Sequence, residues 1–71
     1  MRHSTISVTA SNPQADSLGW PEAFDIEVDT DPFTGEFYGN CHLGCSKNYP
    51  TIEAMVHDLL HRHGYSNVKI V

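Results

Sequence analysis

Residues 24–29 read Phe-Asp-Ile-Glu-Val-Asp, an unbroken alternation of apolar and acidic side chains. In an extended strand, successive side chains point to opposite faces of the sheet. Phe24, Ile26 and Val28 therefore share one face, and the three acids share the other. Because neighbouring like charges repel one another when buried, the acidic face must meet water or a partner. This strand sets a two-sided pattern for the whole domain.

Three more stretches are typical of strands. Residues 5–10 alternate with period two and are rich in β-branched side chains, which favours an extended conformation. Residues 36–41 follow residues 24–29 after a short turn that contains a proline and a glycine. These two strands are therefore predicted to form an antiparallel hairpin. Residues 67–71 place Val68 and Ile70 at alternate positions, a pattern that predicts a last strand.

One amphipathic helix is predicted over residues 51–63. Thr51 is a good N-cap, and Gly64 suits the position that ends a helix with a positive φ. The apolar side chains recur at spacings of three and four, which places them on one helix face: Ile52, Met55, Val56, Leu59 and Leu60. The predicted fold class is therefore α+β, with element order β-β-β-α-β and one helix packed on one face of an antiparallel sheet.

The charge of the chain restricts the partners that it can bind. Its 71 residues form one small domain, residues 1–71, with a net charge of −5. Seven of its nine acidic residues fall between residues 16 and 36, a span that holds no Lys or Arg. Such a surface repels phosphate backbones, so direct binding to nucleic acid is disfavoured. The expected partner is a basic protein or a ribonucleoprotein complex.

We expect this partner on the sheet face that the helix leaves open. The candidate contact residues are the acids of the hairpin and one tyrosine: Asp25, Glu27, Asp29, Asp31, Glu36 and Tyr38. Carboxylates on an open sheet face are solvated and have no reason for the shifted pKa values that acid–base catalysis needs. The sequence therefore predicts a binding protein without a catalytic residue or a cofactor.

Compartment and membrane association follow from simple patterns. The first residues lack the apolar run of a secretory signal, and no stretch is long enough to span a membrane. Two cysteines are too few for a disulfide scaffold, so both are expected as reduced thiols in the cytoplasm. A Cys41–Cys45 disulfide across a turn at residues 42–44 is the alternative. Two aromatic side chains outside the strands are assigned to packing: Trp20 as a core plug and His63 at the edge of the core.

A zinc site is the alternative from another class. Cys41, Cys45, His57 and His61 are spaced Cys-x3-Cys-x11-His-x3-His, close to the spacing of a two-Cys, two-His zinc finger. At about 100° per residue, however, both histidines lie far around the helix from the apolar stripe. They cannot face the sheet together with that stripe. The preferred hypothesis therefore places no metal at these residues, and the alternative is a small zinc-stabilised module.

The hairpin and the helix resemble the core of HicB-type antitoxins. The similar stretches are Phe24-Asp25-Ile26-Glu27-Val28-Asp29, Gly35-Glu36-Phe37-Tyr38-Gly39, Gly44-Cys45-Ser46 and Thr51-Ile52-Glu53-Ala54. The chain departs from that family at Lys47-Asn48-Tyr49-Pro50, where a glycine usually precedes the threonine. The resemblance implies a β-β-β-α-β domain that neutralises an RNase toxin.

The whole chain is also similar in size, charge and element order to small phage-encoded anti-CRISPR proteins of type I systems. Ile6-Ser7-Val8-Thr9, Asn12-Pro13 and Tyr65-Ser66-Asn67-Val68-Lys69-Ile70 echo one such member. This resemblance implies a protein in the cytoplasm of the host bacterium that blocks DNA binding by a Cascade-type complex. The acidic surface would then take the place of the DNA phosphates.

Both resemblances predict a non-enzymatic inhibitor that occupies the basic surface of a nucleic-acid-handling protein. We prefer the hypothesis of an anti-CRISPR-like inhibitor over the hypothesis of an antitoxin. A homodimer that forms through an exposed first or last strand is a further alternative, because unpaired strand edges can pair with a second copy.

Overall fold

Five strands and two helices follow one another in the computed structural model, which describes residues 3–71. The strands are β1 (His3–Ser11), β2 (Ala23–Thr30), β3 (Phe37–Cys41), β4 (Gly44–Cys45) and β5 (Ser66–Ile70), and the helices are α1 (Ala15–Leu18) and α2 (Ile52–His61). The predicted α+β class with an antiparallel sheet is confirmed. The predicted order β-β-β-α-β omitted α1 and β4. These elements have only four and two residues, too few to produce a periodic sequence pattern.

The sheet has the strand order β4-β3-β2-β1-β5, and every neighbouring pair is antiparallel. The hairpin of β2 and β3 is confirmed, and β1 pairs with β2 along most of its length. The first strand is therefore interior, whereas β5 lies at an edge of the sheet. At the opposite side, the outer edge of β3 is partly covered, because Phe37 and Tyr49 exchange backbone hydrogen bonds of 2.8 Å.

One face of the sheet packs against α2. The register pairs Ile6 with Ile26 and Val8 with Phe24, so the apolar side chains of β1 and β2 lie side by side. The buried core joins this sheet face to the apolar stripe of the helix: Val8, Ala10, Ile26, Val28, Met55, Val56, Leu59, Leu60 and Tyr65. The predicted stripe is confirmed, with Ile52 only half-buried at the start of the helix.

Gly39 lets α2 approach the sheet closely. A Cβ atom at this position would lie 2.6 Å from Met55 Sδ and 2.9 Å from Ile26 Cγ2. Both of these side chains are fully buried, and the branched Ile26 has little rotamer freedom on a strand. Because Gly39 has no side chain, Met55 of α2 can pack directly against the sheet at this position.

Both ends of α2 are capped as the sequence predicts. The Thr51 side chain accepts a hydrogen bond of 3.1 Å from the backbone N–H of Ala54. At the other end Gly64 has φ +85°, and the backbone N–H of Tyr65 donates to the Leu60 carbonyl at 3.1 Å. This is the reversal of a glycine-terminated helix, and it turns Tyr65 back into the core.

Candidate protein-binding surface

The acidic face is the side of the sheet that α2 does not cover; we define it by Asp25, Glu27, Asp29 and Tyr38. The three acids alternate along β2 with the buried Ile26 and Val28. Tyr38 of β3 pairs with Asp29 in the register, which brings the tyrosine to the same face. The expected arrangement of these four residues on one face is confirmed by the register and by the burial pattern.

The side chains around the acids on this face are polar. Asn40 of β3 pairs with Glu27, and on the other side of β2 Glu27 pairs with Thr5. Ser7 pairs with Asp25, and its hydroxyl donates a hydrogen bond of 2.8 Å to Asp25 Oδ1. A groove of about 350 Å³ opens beside Ser7 and Asp25. The carboxylate of Asp25 is therefore held in place at the border of a space that could receive a partner side chain.

Asp31 has a different role from the acids of the strand. Its Oδ1 accepts hydrogen bonds from the backbone N–H groups of Phe33 at 2.8 Å and Thr34 at 3.4 Å. Its Oδ2 accepts a bond of 2.8 Å from the Asn48 side chain. The hydrogen bond from Phe33 is the main reason why the pKa of Asp31 is lowered from 3.8. The Asp31 carboxylate thus shapes the turn between β2 and β3.

Glu36, the last predicted contact residue, lies just before β3 and is half-buried. Its carbonyl accepts a backbone hydrogen bond of 2.8 Å from Asp31, which closes the turn. Sequence reasoning missed Phe33, which stands at the tip of this turn with 95% of its surface exposed. An apolar residue directly after Pro32 in a turn was a signal that could have identified it.

The four residues of the zinc alternative are not brought together. Cys41 packs against the core, whereas Cys45 is exposed and lines a groove beside Asp58 and Arg62 of α2. Both cysteines are free. Burial raises the pKa of the Cys41 thiol. Within residues 3–71, no group of three or more His, Cys, Asp or Glu side chains is placed to hold a metal ion.

An aromatic cluster that the sequence did not predict closes one end of the core. Trp20 stacks on Tyr65 with ring centroids 6.1 Å apart, and the rings of His42 and His63 meet Trp20 edge-on at 5.8 and 5.9 Å. His42 also meets Phe24 edge-on at 4.6 Å. Trp20 and His63 are both half-buried, and Trp20 packs against the core as predicted. This cluster fixes the β3–β4 turn against the body of the domain.

Hydrogen bonds order the same cluster. The Tyr65 hydroxyl donates to the Pro21 carbonyl at 2.7 Å and lies 3.1 Å from His42 Nε2. Because its single proton is used for Pro21, the hydroxyl accepts from His42, which places the imidazole proton on Nε2. Desolvation lowers the pKa of His42 from 6.5, with a smaller contribution from His63. The same cause raises the pKa of Tyr65. The neutral forms of both side chains are therefore favoured.

Comparison with protein-family models, with curated proteins and with solved structures found no match to the chain. Conclusions about function therefore depend on its own residues. In the part of the chain that the structure describes, no helix has the length and apolar character needed to cross a lipid bilayer.

Proposed function

We propose that the chain is a non-enzymatic acidic binding protein that inhibits a nucleic-acid-handling complex by occupying its basic surface. The observation that carries this proposal is the position of Asp25, Glu27 and Asp29 on the sheet face opposite α2. A row of carboxylates at the spacing of alternate strand residues presents regularly placed negative charge, as a phosphate backbone does. A cationic groove that binds nucleic acid is complementary to such a row.

The surroundings of the acids support a protein partner. The groove beside Asp25 measures about 350 Å³, enough space for a lysine or arginine side chain. Tyr38 adds an aromatic ring, a residue type that is enriched at protein interfaces. Because the carboxylates project from a paired strand, few backbone degrees of freedom must be ordered on binding, which favours affinity.

The preferred partner is a Cascade-type protein–RNA complex in a bacterial cytoplasm, and the chain would block its binding to DNA. The second candidate is an RNase toxin of the kind that HicB-type antitoxins neutralise. The β2–β3 hairpin and α2 carry the sequence stretches that resemble those antitoxins, and this observation favours retaining the second candidate.

Two assays performed in parallel test the proposal. Purified chain is titrated into a type I Cascade-type complex, and binding of labelled target DNA is measured. The same titration is made into an RNase toxin, and RNA cleavage is measured. Stoichiometric loss of DNA binding supports the inhibitor, and stoichiometric loss of cleavage supports the antitoxin. If neither activity changes at a large excess of the chain, the proposed function is wrong.

A further inference from the structure

Two histidines on the exposed side of α2 form a pair that the proposed function does not use. His57 and His61 are four residues apart, one helical turn, and both are exposed. Their ring centroids lie 6.4 Å apart, with an angle of 36° between the ring planes. Histidines at this spacing lie on one helix face and can bind one metal ion together, as the two histidines of helical zinc motifs do.

We propose that His57 and His61 bind one zinc ion at the surface of α2, with water completing its coordination. Zinc–imidazole bonds of about 2.0–2.1 Å in a tetrahedral arrangement require ring centroids about 5 Å apart. The rings therefore need to approach one another by little more than about 1 Å. Both side chains are exposed, so side-chain rotation alone makes this approach.

The charges around the pair favour a cation. Glu53 lies one turn before His57 on the same side of the helix and is exposed. Arg62 is the cationic neighbour of His61, and its Nε forms an ion pair of 3.0 Å with Asp58 Oδ2. Asp58 also accepts a hydrogen bond from the Tyr49 hydroxyl. Asp58 thus offsets the charge of Arg62, and the whole chain carries a net charge of −5, which further attracts a divalent ion.

This site differs from the four-residue site with Cys41 and Cys45. The exposed Cys45 lines a groove beside Asp58 and Arg62 of α2, on a different side of the helix from His57 and His61. Cys41 packs against the core. The proposed site therefore needs neither thiol, and this difference can be measured.

The test is calorimetric titration of the folded chain with zinc chloride, together with NMR signals of the imidazole rings. Wild-type protein should bind one zinc ion and shift the ring signals of His57 and His61 together. His57→Ala and His61→Ala should each weaken binding by at least about tenfold, the lower end of the loss seen when even outer-shell partners of a metal site are removed. Cys45→Ser should bind zinc like the wild type.

A rescue variant tests the spacing itself. Adding Glu53→His to the His61→Ala protein restores two histidines four residues apart, one turn earlier on the same helix face. Zinc affinity should return to within a few fold of the wild-type value, on the order expected for equivalent ligands. The proposal is overturned if wild-type protein binds no zinc, if either histidine variant binds as tightly as the wild type, or if Cys45→Ser abolishes binding.

Discussion

Gly39 is the residue at which the sheet and α2 come closest. The buried Met55 and Ile26 occupy the space that a side chain would need. Gly39→Ala should therefore lower the free energy of unfolding by about 1–3 kcal/mol, the usual cost of an added methyl group in a packed core. Urea denaturation at equilibrium measures this change.

The control for this substitution is Asn40→Ala on the same strand. Asn40 is exposed and pairs with Glu27 on the acidic face, so its replacement should change the free energy of unfolding by less than about 0.5 kcal/mol. Equal stability of Gly39→Ala and wild-type protein would show that α2 does not lie as close to β3 as the structure has it.

His42 makes stability depend on pH. Its pKa is lowered in the folded chain from 6.5, chiefly by desolvation. Between the lowered value and 6.5 the unfolded chain binds more protons than the folded chain, so stability falls as the pH falls through this range and is fully present above it. Wild-type protein should therefore lose more stability than His42→Gln when the pH is lowered from about 8 to about 5.

Urea denaturation of both proteins at the two pH values measures this difference. Glutamine keeps a hydrogen-bond donor for the Tyr65 hydroxyl but cannot be protonated. All other titrating groups are the same in the two proteins. The difference between their losses in the free energy of unfolding therefore measures the contribution of His42. An identical loss in both would contradict the packing of this ring against Phe24 and Trp20.

Local sequence patterns predicted some residue roles and not others. Thr51 and Gly64 were predictable, because capping requires particular residue types next to a periodic stretch. The position of His42 depends on the ring of Tyr65, which is 23 residues away, and local sequence does not encode that distance. The contact of Asp31 with a partner stays a prediction, and its hydrogen bonds to the backbone of Phe33 and Thr34 were not part of that prediction.

At the scale of elements, α2 owes part of its stability to its N-cap. Thr51 satisfies the backbone N–H of Ala54, a group that has no partner inside the helix. Thr51→Ala should lower the free energy of unfolding by about 1 kcal/mol, whereas Thr51→Ser, which keeps the hydroxyl, should cost only a few tenths. Thermal and urea denaturation compare the two variants. Equal effects would mean that the hydroxyl does not cap α2.

The four longer strands and α2 were predictable, because strands repeat their hydrophobic pattern with period two and helices with a period between three and four. The strand order was not predictable, since β5 crosses the domain to pair with β1. The homodimer alternative named the first or the last strand. Because β1 is interior, only β5 of these two lies at an edge of the sheet. The two-residue β4 depends on its pairing with Asn40 and Cys41, a tertiary contact that no pattern of its own residues announces.

At the scale of the whole molecule, the sheet separates two chemistries. The apolar side faces α2, and the opposite side carries the acidic face. This division was predictable from residues 24–29 alone, because a strand with two different faces requires a cover on only one of them. What the face binds was not predictable, because exposed carboxylates suit many cationic partners.

Association with a cationic partner should depend on ionic strength. Salt screens charges at the acidic face, because the Debye length falls from about 10 Å at 0.1 M to about 3 Å at 1 M. The association rate with the responsive complex should therefore fall by about tenfold or more over this range, with a smaller change in the dissociation rate. Stopped-flow or surface-based kinetics measure both rates. A salt-independent association rate would exclude electrostatic steering by the acidic face.

We propose that the acidic face, and not net charge alone, makes the inhibitory contact. Asp25→Lys/Glu27→Lys reverses two charges on that face. Asp16→Lys/Glu53→Lys reverses two charges on α1 and α2 instead. Each Asp or Glu replaced by Lys adds two charge units, so both variants change the net charge from −5 to −1.

The decisive measurement is the inhibitory potency of these two folded variants in the assay to which the wild-type chain responds. We expect at least about a hundredfold loss for Asp25→Lys/Glu27→Lys, because like charges then face the cationic partner. We expect less than about a tenfold loss for Asp16→Lys/Glu53→Lys, because these two side chains lie outside the acidic face. Equal potency of the two variants would show that net charge, and not the acidic face, determines inhibition.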